Sequence, residues 1–528
     1  MDRAALGSLG LQFVHGSHFE LSRHSYQAAV APHTGTTPKV MGKRSPKHVA
    51  AHDSAKQTVG AVSRAGQLPQ TARSEVQKAA PSPTLSQSEV VPPVMIDAGH
   101  PLPPSDNLVF TCLSYNVLLP NSQDGWWIYK YYRDTGAHCD WPVRQNLLKT
   151  QLREASVDIV CLQEVSDLSF GDDFGFLAAE LGYEAVMHEK KARMRPATFW
   201  KKDAWQLVSA LHKDRTLVVA LRRKHQTERS AADDQTLFIV NAHLSAGPSA
   251  DRRLRQVQEA LDAIVKERKR SGLDASGKPA AVVFCGDFNS QGSSAVREFL
   301  VRGSVGPDFR ESGDPTEKGQ AGRQVTSKVR SQKVGNFVDA AEEAFVGNPP
   351  STILAANIDA KMVQPDGNLT PAMFAALEKA FCHCSSDGKV MTKAEVEQWL
   401  VIINGELGRG SECRFAMAAL ERNGGEQLSK SDFMQLYREE LSEGKFWGVE
   451  HDLRVMGNFG LAVPEEGPCQ LRFDYIYYGV DALRLVAVQE PLTVAHRDRV
   501  FGPPWEILPN AWHPSDHLPV AAAFAFRE

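Results

Sequence analysis

Cysteine is scarce in this chain, with eight in 528 residues. That scarcity excludes a disulfide-stapled scaffold and favours a reducing, intracellular setting, with the cytoplasm as the expected compartment. Long apolar runs are missing too: none approaches the ~18 residues that a membrane-spanning helix needs. Charge of one sign is not in excess either. The 59 Lys+Arg and 63 Asp+Glu leave a formal net charge of -4, so the chain has no surplus of positive charge with which to coat nucleic acid. Cys382, His383 and Cys384 look metal-like, but a zinc site would need a second ligand pair at suitable spacing, and the sequence has none. The first twenty residues lack the continuous apolar core of a secretory signal. Asp2 and Glu20 dilute a transit-peptide pattern, which leaves organellar targeting as the alternative to the cytoplasm.

What is present is 42% hydrophobic and 23% charged, the balance of an ordinary globular protein. Residues 1–106 stand apart. They are rich in Ala, Ser, Thr, Gln, His and Pro without sustained periodicity, and they read as a disordered tail and linker. From Leu108 the texture changes. LVFTCLSYNVLL, VDIVCLQEV, TLFIVNAHL, AAVVFCGDFNS, RFDYIYYGV and HLPVAAAFAF read as buried strands. Cys112, Cys161 and Cys285 lie inside three of these runs, where cysteine acts as a small hydrophobe. WPVRQNLLKTQLREA places Val143, Leu147, Leu148 and Leu152 at helical spacing. A second helix is expected after Ser249, with Leu254, Val257, Leu261, Ile264 and Val265 on one face. The alternation predicts a layered α/β fold, with sheets inside and helices outside.

Five short motifs close these strands or follow them: SYN (114–116), LQE (162–164), NAHL (241–244), GDFN (286–289) and SDH (515–517). Each sets an Asp, Glu, Asn or His where an apolar strand gives way to a loop, a position both well held and exposed. Singly, each has a plainer reading as a turn former, a helix-terminal charge or a core histidine. Together they form the parts needed for a hard cation and a phosphate: carboxylate and amide oxygens for Mg²⁺ or Mn²⁺, and His and Asn donors for phosphate oxygens.

In this order the motifs resemble the endonuclease/exonuclease/phosphatase superfamily of DNase I-like enzymes, over residues 107–350 and 464–528. The resemblance implies a four-layered α/β sandwich with its site at one rim of two packed sheets. It also implies residue roles. Glu164 would be the principal metal ligand, with Asn116 beside it and Asp516 nearby. Asp287 would orient or deprotonate the attacking water, and Asn289 would position it. His243 and Asn241 would hold phosphate oxygens. His517 would stabilise developing charge or protonate the leaving oxygen, oriented by Asp474. The spacing of SYNVL, WPVR and DIVCLQEV, together with HPSDHLPV, resembles the deadenylase, nocturnin and Angel-like branch. That branch acts on RNA 3′ ends or on phosphates of small nucleotides. Phosphoinositide phosphatases and sphingomyelinases share the fold, but this sequence has no membrane-binding segment to favour them. An inactive scaffold is disfavoured by the complete residue set.

Candidate phosphate contacts are Arg144, the cluster around Lys190, Lys191, Arg193 and Arg195, and Arg252 just after NAHL. The plainer reading of the clusters is a pair of solvated faces. The functional reading is contact with a few phosphates near the site, so a short RNA tail or a nucleotide is expected rather than long duplex DNA.

Residues 351–463 interrupt the pattern with a helical stretch holding 16 Asp+Glu against 11 Lys+Arg. It resembles a pair of EF-hands, with loops around Asp387–Gly388 and around Asn423–Asp432. The calcium chemistry fits poorly. With Gly388 at the sharp turn, His383 takes the first ligand position, and Ala394 falls where a bidentate Glu belongs. Asp387, Glu395 and Asp432 are the carboxylates left to hold Ca²⁺. A structural or partner-binding helical module is the plainer expectation.

Overall fold

The computed structural model describes residues 95–98, 109–120, 140–190, 194–224, 236–246, 249–311, 324–356, 359–364, 366–408, 410–442, 445–461, 468–502, 506 and 508–527. Lys191 and Arg193 lie outside these, as does the expected tail apart from residues 95–98.

The β-branched and aromatic runs become two sheets. Their early strands are β1 (Met95–Asp97), β2 (Val109–Asn116), β3 (Ile159–Val165), β4 (Tyr183–Met187), β5 (Arg195–Lys201), β6 (Trp205–His212), β7 (Thr216–Arg223), β8 (Thr236–His243) and β9 (Ala281–Asp287). One seven-stranded sheet runs β1, Leu483–Gln489, Val520–Phe526, β2, β3, β5, β4. The other, six-stranded, runs Phe337–Asp339, Asp474–Gly479, β9, β8, β7, β6. β1 lies before the expected boundary at 107, and Met95 pairs with Gln489 at the edge of the seven-stranded sheet.

Each sheet holds a parallel pair, β2 with β3 and β8 with β9. Parallel strands need a crossover, and helices supply it. The helix α1 (Trp141–Ala155) joins the first pair and α3 (Ala250–Arg270) the second, with α2 (Phe170–Ala179) following β3. Phe110, Ile159, Trp200, Leu217, Ile239, Val283 and Ile476 pack between the sheets. α3 covers the outer face of one sheet through Leu254, Val257, Leu261 and Ile264. α1 and α2 cover the other through Leu148, Leu152, Phe174 and Leu177. The result is the four-layered α/β sandwich.

α1 departs from its expected stripe. Val143 faces solvent, and the buried residues are Trp141, Arg144, Leu148 and Leu152. A charged side chain occupies the inner face because backbone carbonyls receive it, as described below.

The interruption enters through Ile353–Ala356 and leaves through Pro468–Leu471, which pair as an antiparallel ribbon. Between them, Pro371–Cys384, Lys393–Asn404, Gly410–Arg422 and Lys430–Ser442 form two helix–loop–helix units, and their loops pair through Val390–Thr392 and Gln427–Ser429. A further helix, Phe446–Gly457, lays Val449, Leu453 and Met456 into the core of these units beside Phe381, Trp399 and Phe433. It fills apolar surface that an external partner helix would otherwise cover, so the packing gives no support to a partner docking there.

The proposed calcium carboxylates are committed elsewhere. Asp387 accepts bonds from the Lys389 and Val390 amides at 2.7 and 3.0 Å. Glu395 accepts from the Ser386 and Thr392 amides at 2.8 and 2.7 Å and closes a capping box with Thr392. Asp432 accepts from Asn423 Nδ2 at 2.8 Å and from the Ser429 hydroxyl. The carboxylates thus accept from loop amides and helix starts, bonds that hold the loops without a cation. Among the described residues no helix is long and apolar enough to cross a membrane.

Candidate active site

Both parallel pairs end at the same rim. Asn116 closes β2, Glu164 lies at the end of β3, and His243 and Asp287 are register partners at the ends of β8 and β9. Asp474 starts the strand beside β9 and pairs with Asp287. His517 precedes the last strand of the other sheet. Packing the sheets face to face brings the six together.

Asn116 Nδ2 donates to Glu164 Oε1 and to Asp287 Oδ2, both at 3.1 Å, and lies 3.5 Å from His517 Nε2. His243 Nε2 stands 3.7 Å from Glu164 Oε1 and 3.6 Å from Asp287 Oδ2. His517 Nδ1 is 2.8 Å from Asp474 Oδ2. Asn289 donates its backbone N–H to Asp287 Oδ1 at 2.8 Å and its amide to the Leu244 carbonyl at 3.0 Å. Asp516 is half-buried, 3.4 Å from the Ser515 hydroxyl.

Two backbone features hold this rim. Glu164 has φ +65° at a register shift between β3 and β5, a conformation that costs a non-glycine residue roughly 1–3 kcal/mol. The bulge turns its carboxylate into the site, where Oε2 accepts the Leu119 amide at 3.0 Å. Gly286 has φ +138°, and a Cβ there would meet the Ala242 carbonyl oxygen at 1.9 Å. Only glycine allows β9 to approach β8 this closely just before Asp287.

The site concentrates negative charge in a dry place. Burial raises the Glu164 carboxyl above its ordinary value, with Asp516 adding to the shift. Burial likewise raises Asp287. His243 is pushed down to about 4 by burial, with Arg215 opposing its charge, so it is a neutral imidazole at physiological pH. Burial would also depress His517, but Asp474, Asp516 and Asp287 together hold it well above the usual histidine value.

Several expected site residues have other partners or positions in the fold. Asn241 lies fully buried between the sheets, donating to the carbonyls of Leu162 and Ala197 at 3.1 and 2.9 Å and accepting from Gln163 at 2.9 Å. It faces the same way as His243 but two residues deeper. Arg144 is buried and donates to the carbonyls of Pro514 and Val117 at 2.8 Å, of Leu119 at 3.3 Å, and of Leu118. It ties the loop after Asn116 to the loop before His517 and does not face the site as a phosphate contact. Arg195 pairs with Asp167 and donates to the His188 carbonyl at 3.2 Å. Arg252 pairs with Asp214 at 3.2 Å on the exposed side of α3. Lys190 is exposed just beyond β4.

Two contributors, Thr352 and Arg215, lie outside the five motifs, and a third, Ser515, opens SDH. The Thr352 hydroxyl accepts the Phe473 and Asp474 amides at 3.1 and 3.2 Å, so the root of the insertion positions Asp474. The Ser515 hydroxyl donates to the Asn116 carbonyl at 2.6 Å. Arg215, in the turn between β6 and β7, receives the His243 amide on its carbonyl at 3.0 Å. Its one local signal is the polar KDR turn between two apolar strands.

Two packed sheets with carboxylate, amide and imidazole groups at the C-terminal ends of their parallel strands define a phosphoesterase-type rim site. A family model described as "Endonuclease/Exonuclease/phosphatase family" matches residues 113–517, and the chain belongs to that family. The CCR4-Not complex 3'-5'-exoribonuclease subunit Ccr4 of Kluyveromyces lactis is 28% identical over 243 residues, 38% of this chain and 30% of that protein. The 2',5'-phosphodiesterase 12 of Rattus norvegicus is 28% identical over 226 residues, 38% of this chain and 36% of that protein. The chain thus spans about a third of the length of these curated relatives. Among solved structures, ANGEL2, a 2',3'-cyclic phosphatase, in complex with adenosine-2',3'-vanadate, is 16% identical with a TM-score of 0.47, covering 79% of this chain and 96% of that one.

Proposed function

We propose that this protein is a divalent-cation-dependent phosphoesterase that cleaves phosphodiester bonds at RNA 3′ ends. The observation that carries the reading is the convergence of Asn116, Glu164, His243, Asp287 and His517 on one buried rim, within 3.1 to 3.9 Å of one another along the chain of contacts. The donor set fits a hard cation: oxygen-rich, net negative, with two carboxyls pushed upward by burial. Glu164 would hold Mg²⁺ or Mn²⁺, with Asn116 and Asp516 beside it. When bound, the cation supplies charge neutralisation at the phosphate.

The remaining chemistry belongs to the protein. Asp287, fixed by Asn116 and Asn289, accepts the proton of the attacking water. The water oxygen bonds to phosphorus as the bond to the leaving oxygen breaks. Neutral His243 donates a hydrogen bond to a non-bridging oxygen. His517, kept protonated by Asp474, donates to the developing negative charge and delivers the proton to the leaving oxygen.

A small nucleotide is the second reading, and one observation favours it. Arg144, Arg195 and Arg252 are engaged within the protein, which among the described residues leaves fewer cations for successive phosphates. Hydrolysis of poly(A), other RNA, 2′,5′-linked and 2′,3′-cyclic substrates, and NADP should be compared with Mg²⁺. Release of mononucleotides from the RNA 3′ end is expected. Cleavage of duplex DNA alone would refute the proposal.

A further inference from the structure

Three buried cysteines meet where the sheets face each other. Cys112 comes from β2, Cys161 from β3 and Cys285 from β9 of the opposite sheet, each with no exposed surface. Their sulfurs all lie within 4.8 Å of one another. A metal–thiolate bond of about 2.3 Å places three sulfurs about 4 Å apart around a trigonal ion, so shifts of a few tenths of an ångström would close the site. Three strands from two sheets supply one sulfur each, and alternation aims all three inward.

We infer that Cys112, Cys161 and Cys285 form a binding site for a single soft monovalent cation, Cu(I). Sulfur selects the soft ion, and the hard-cation site of the rim contains none. Coordination number selects against zinc, which takes four ligands in structural sites. Among the described residues no His, Asp or Glu joins the trio. Charge points the same way. A monovalent ion with two thiolates and one thiol leaves a single negative charge to be buried, and two protons leave for solvent on binding.

Polar groups are placed to carry that charge. Gln163 Nε2 donates to Ser114 Oγ at 3.1 Å, which leaves the Ser114 hydroxyl hydrogen free for another acceptor. Thr198 Oγ1 lies 4.0 Å from Cys161 Sγ. Around this edge the packing is apolar, with Phe110, Ile159, Ile239, Val283 and Ile476 in the same core. Such a shell keeps water from the ion. The site lies below the rim on the same strands, since Cys112 precedes Asn116, Cys161 precedes Glu164 and Cys285 precedes Asp287.

The full chain tests this. Reduced protein is incubated anaerobically with Cu(I) held by a chromogenic chelator, and in parallel is purified from cells grown with added copper. Withdrawal of one Cu(I) per chain is expected, lost in Cys112→Ala, Cys161→Ala and Cys285→Ala, and retained in the double variant Cys382→Ser/Cys384→Ser. Circular dichroism checks that each variant folds. Should a variant fail to fold, X-ray absorption of copper-loaded wild type decides, with a shell of sulfur alone expected. No copper by either route, nitrogen or oxygen ligands, or binding that follows Cys382 and Cys384 overturns the site.

Discussion

The Nδ1 of His517 lies 2.8 Å from Oδ2 of Asp474, although the two residues stand 43 positions apart in the chain. Asp474 is the foremost of the three carboxylates that raise His517 against the effect of burial. Asp474→Asn should therefore lower kcat by about 10²–10⁴-fold and move the alkaline limb of the kcat/KM profile to lower pH. The stability sign follows from linkage. A histidine held above its unfolded value of about 6.5 stabilises fully below that pH, and the contribution fades as pH rises through the folded value. Melting temperatures of wild type and variant should then differ more at about pH 6 than at about pH 9. An unshifted pH profile would remove Asp474 from this role.

Glu164→Gln and Asp287→Asn should each reduce turnover with Mg²⁺ by about 10²–10⁴-fold. Both carboxyls are raised by burial, so neutral isosteres relieve a cost in the metal-free protein. Their melting temperatures without metal should equal or exceed that of wild type. A variant retaining near-normal Mg²⁺-dependent activity would sink the assignment.

Gly286→Ala should be far more damaging than its size suggests. Its Cβ would sit 1.9 Å from the Ala242 carbonyl oxygen, a backbone atom inside a parallel pair that cannot move aside. A loss of roughly 3 kcal/mol or more is expected. Denaturant titration would show it.

Arg144→Met separates positioning from phosphate binding. The variant would leave buried carbonyls of Val117, Leu119 and Pro514 without their donor, costing about 3 kcal/mol. Because those carbonyls belong to the loops that carry Asn116 and His517, kcat should fall while KM stays close to wild type. A large rise in KM with kcat unchanged would return Arg144 to substrate contact.

The insertion should depend on acid rather than on calcium. Backbone bonds from Thr392 and Ser386 hold Glu395 down to about 2. A carboxyl below its unfolded value of about 4.3 stabilises above that pH, and the contribution is lost as pH falls through about 2. Glu395→Gln should flatten this acid dependence, and Thr392→Ala should cost about 1 kcal/mol. Millimolar Ca²⁺ should leave the melting temperature of the full chain unchanged, since Asp387, Glu395 and Asp432 already serve amides and side chains of their own loops.

Local pattern made the strands, the helix from residue 250 and the five rim motifs readable, because alternation and helical spacing are properties of neighbouring residues. It also singled out Asn116, Glu164, His243, Asp287, Asp474 and His517 as candidates, each at a strand end or in a rim loop, where a polar residue stands out against an apolar run. What no local pattern contains is the partner of a side chain. Arg144 and Asn241 read as ligand contacts, yet long-range carbonyls claim both. Thr352 and Arg215 read as ordinary loop residues until folding brings them against Asp474 and His243. Three cysteines scattered from 112 to 285 read as separate small hydrophobes, and only face-to-face packing of the two sheets makes them one cluster. Periodicity thus determined which residues face inward, while tertiary structure decided what each of them meets there, because hydrogen bonds and sulfur contacts between distant strands depend on how the sheets pack.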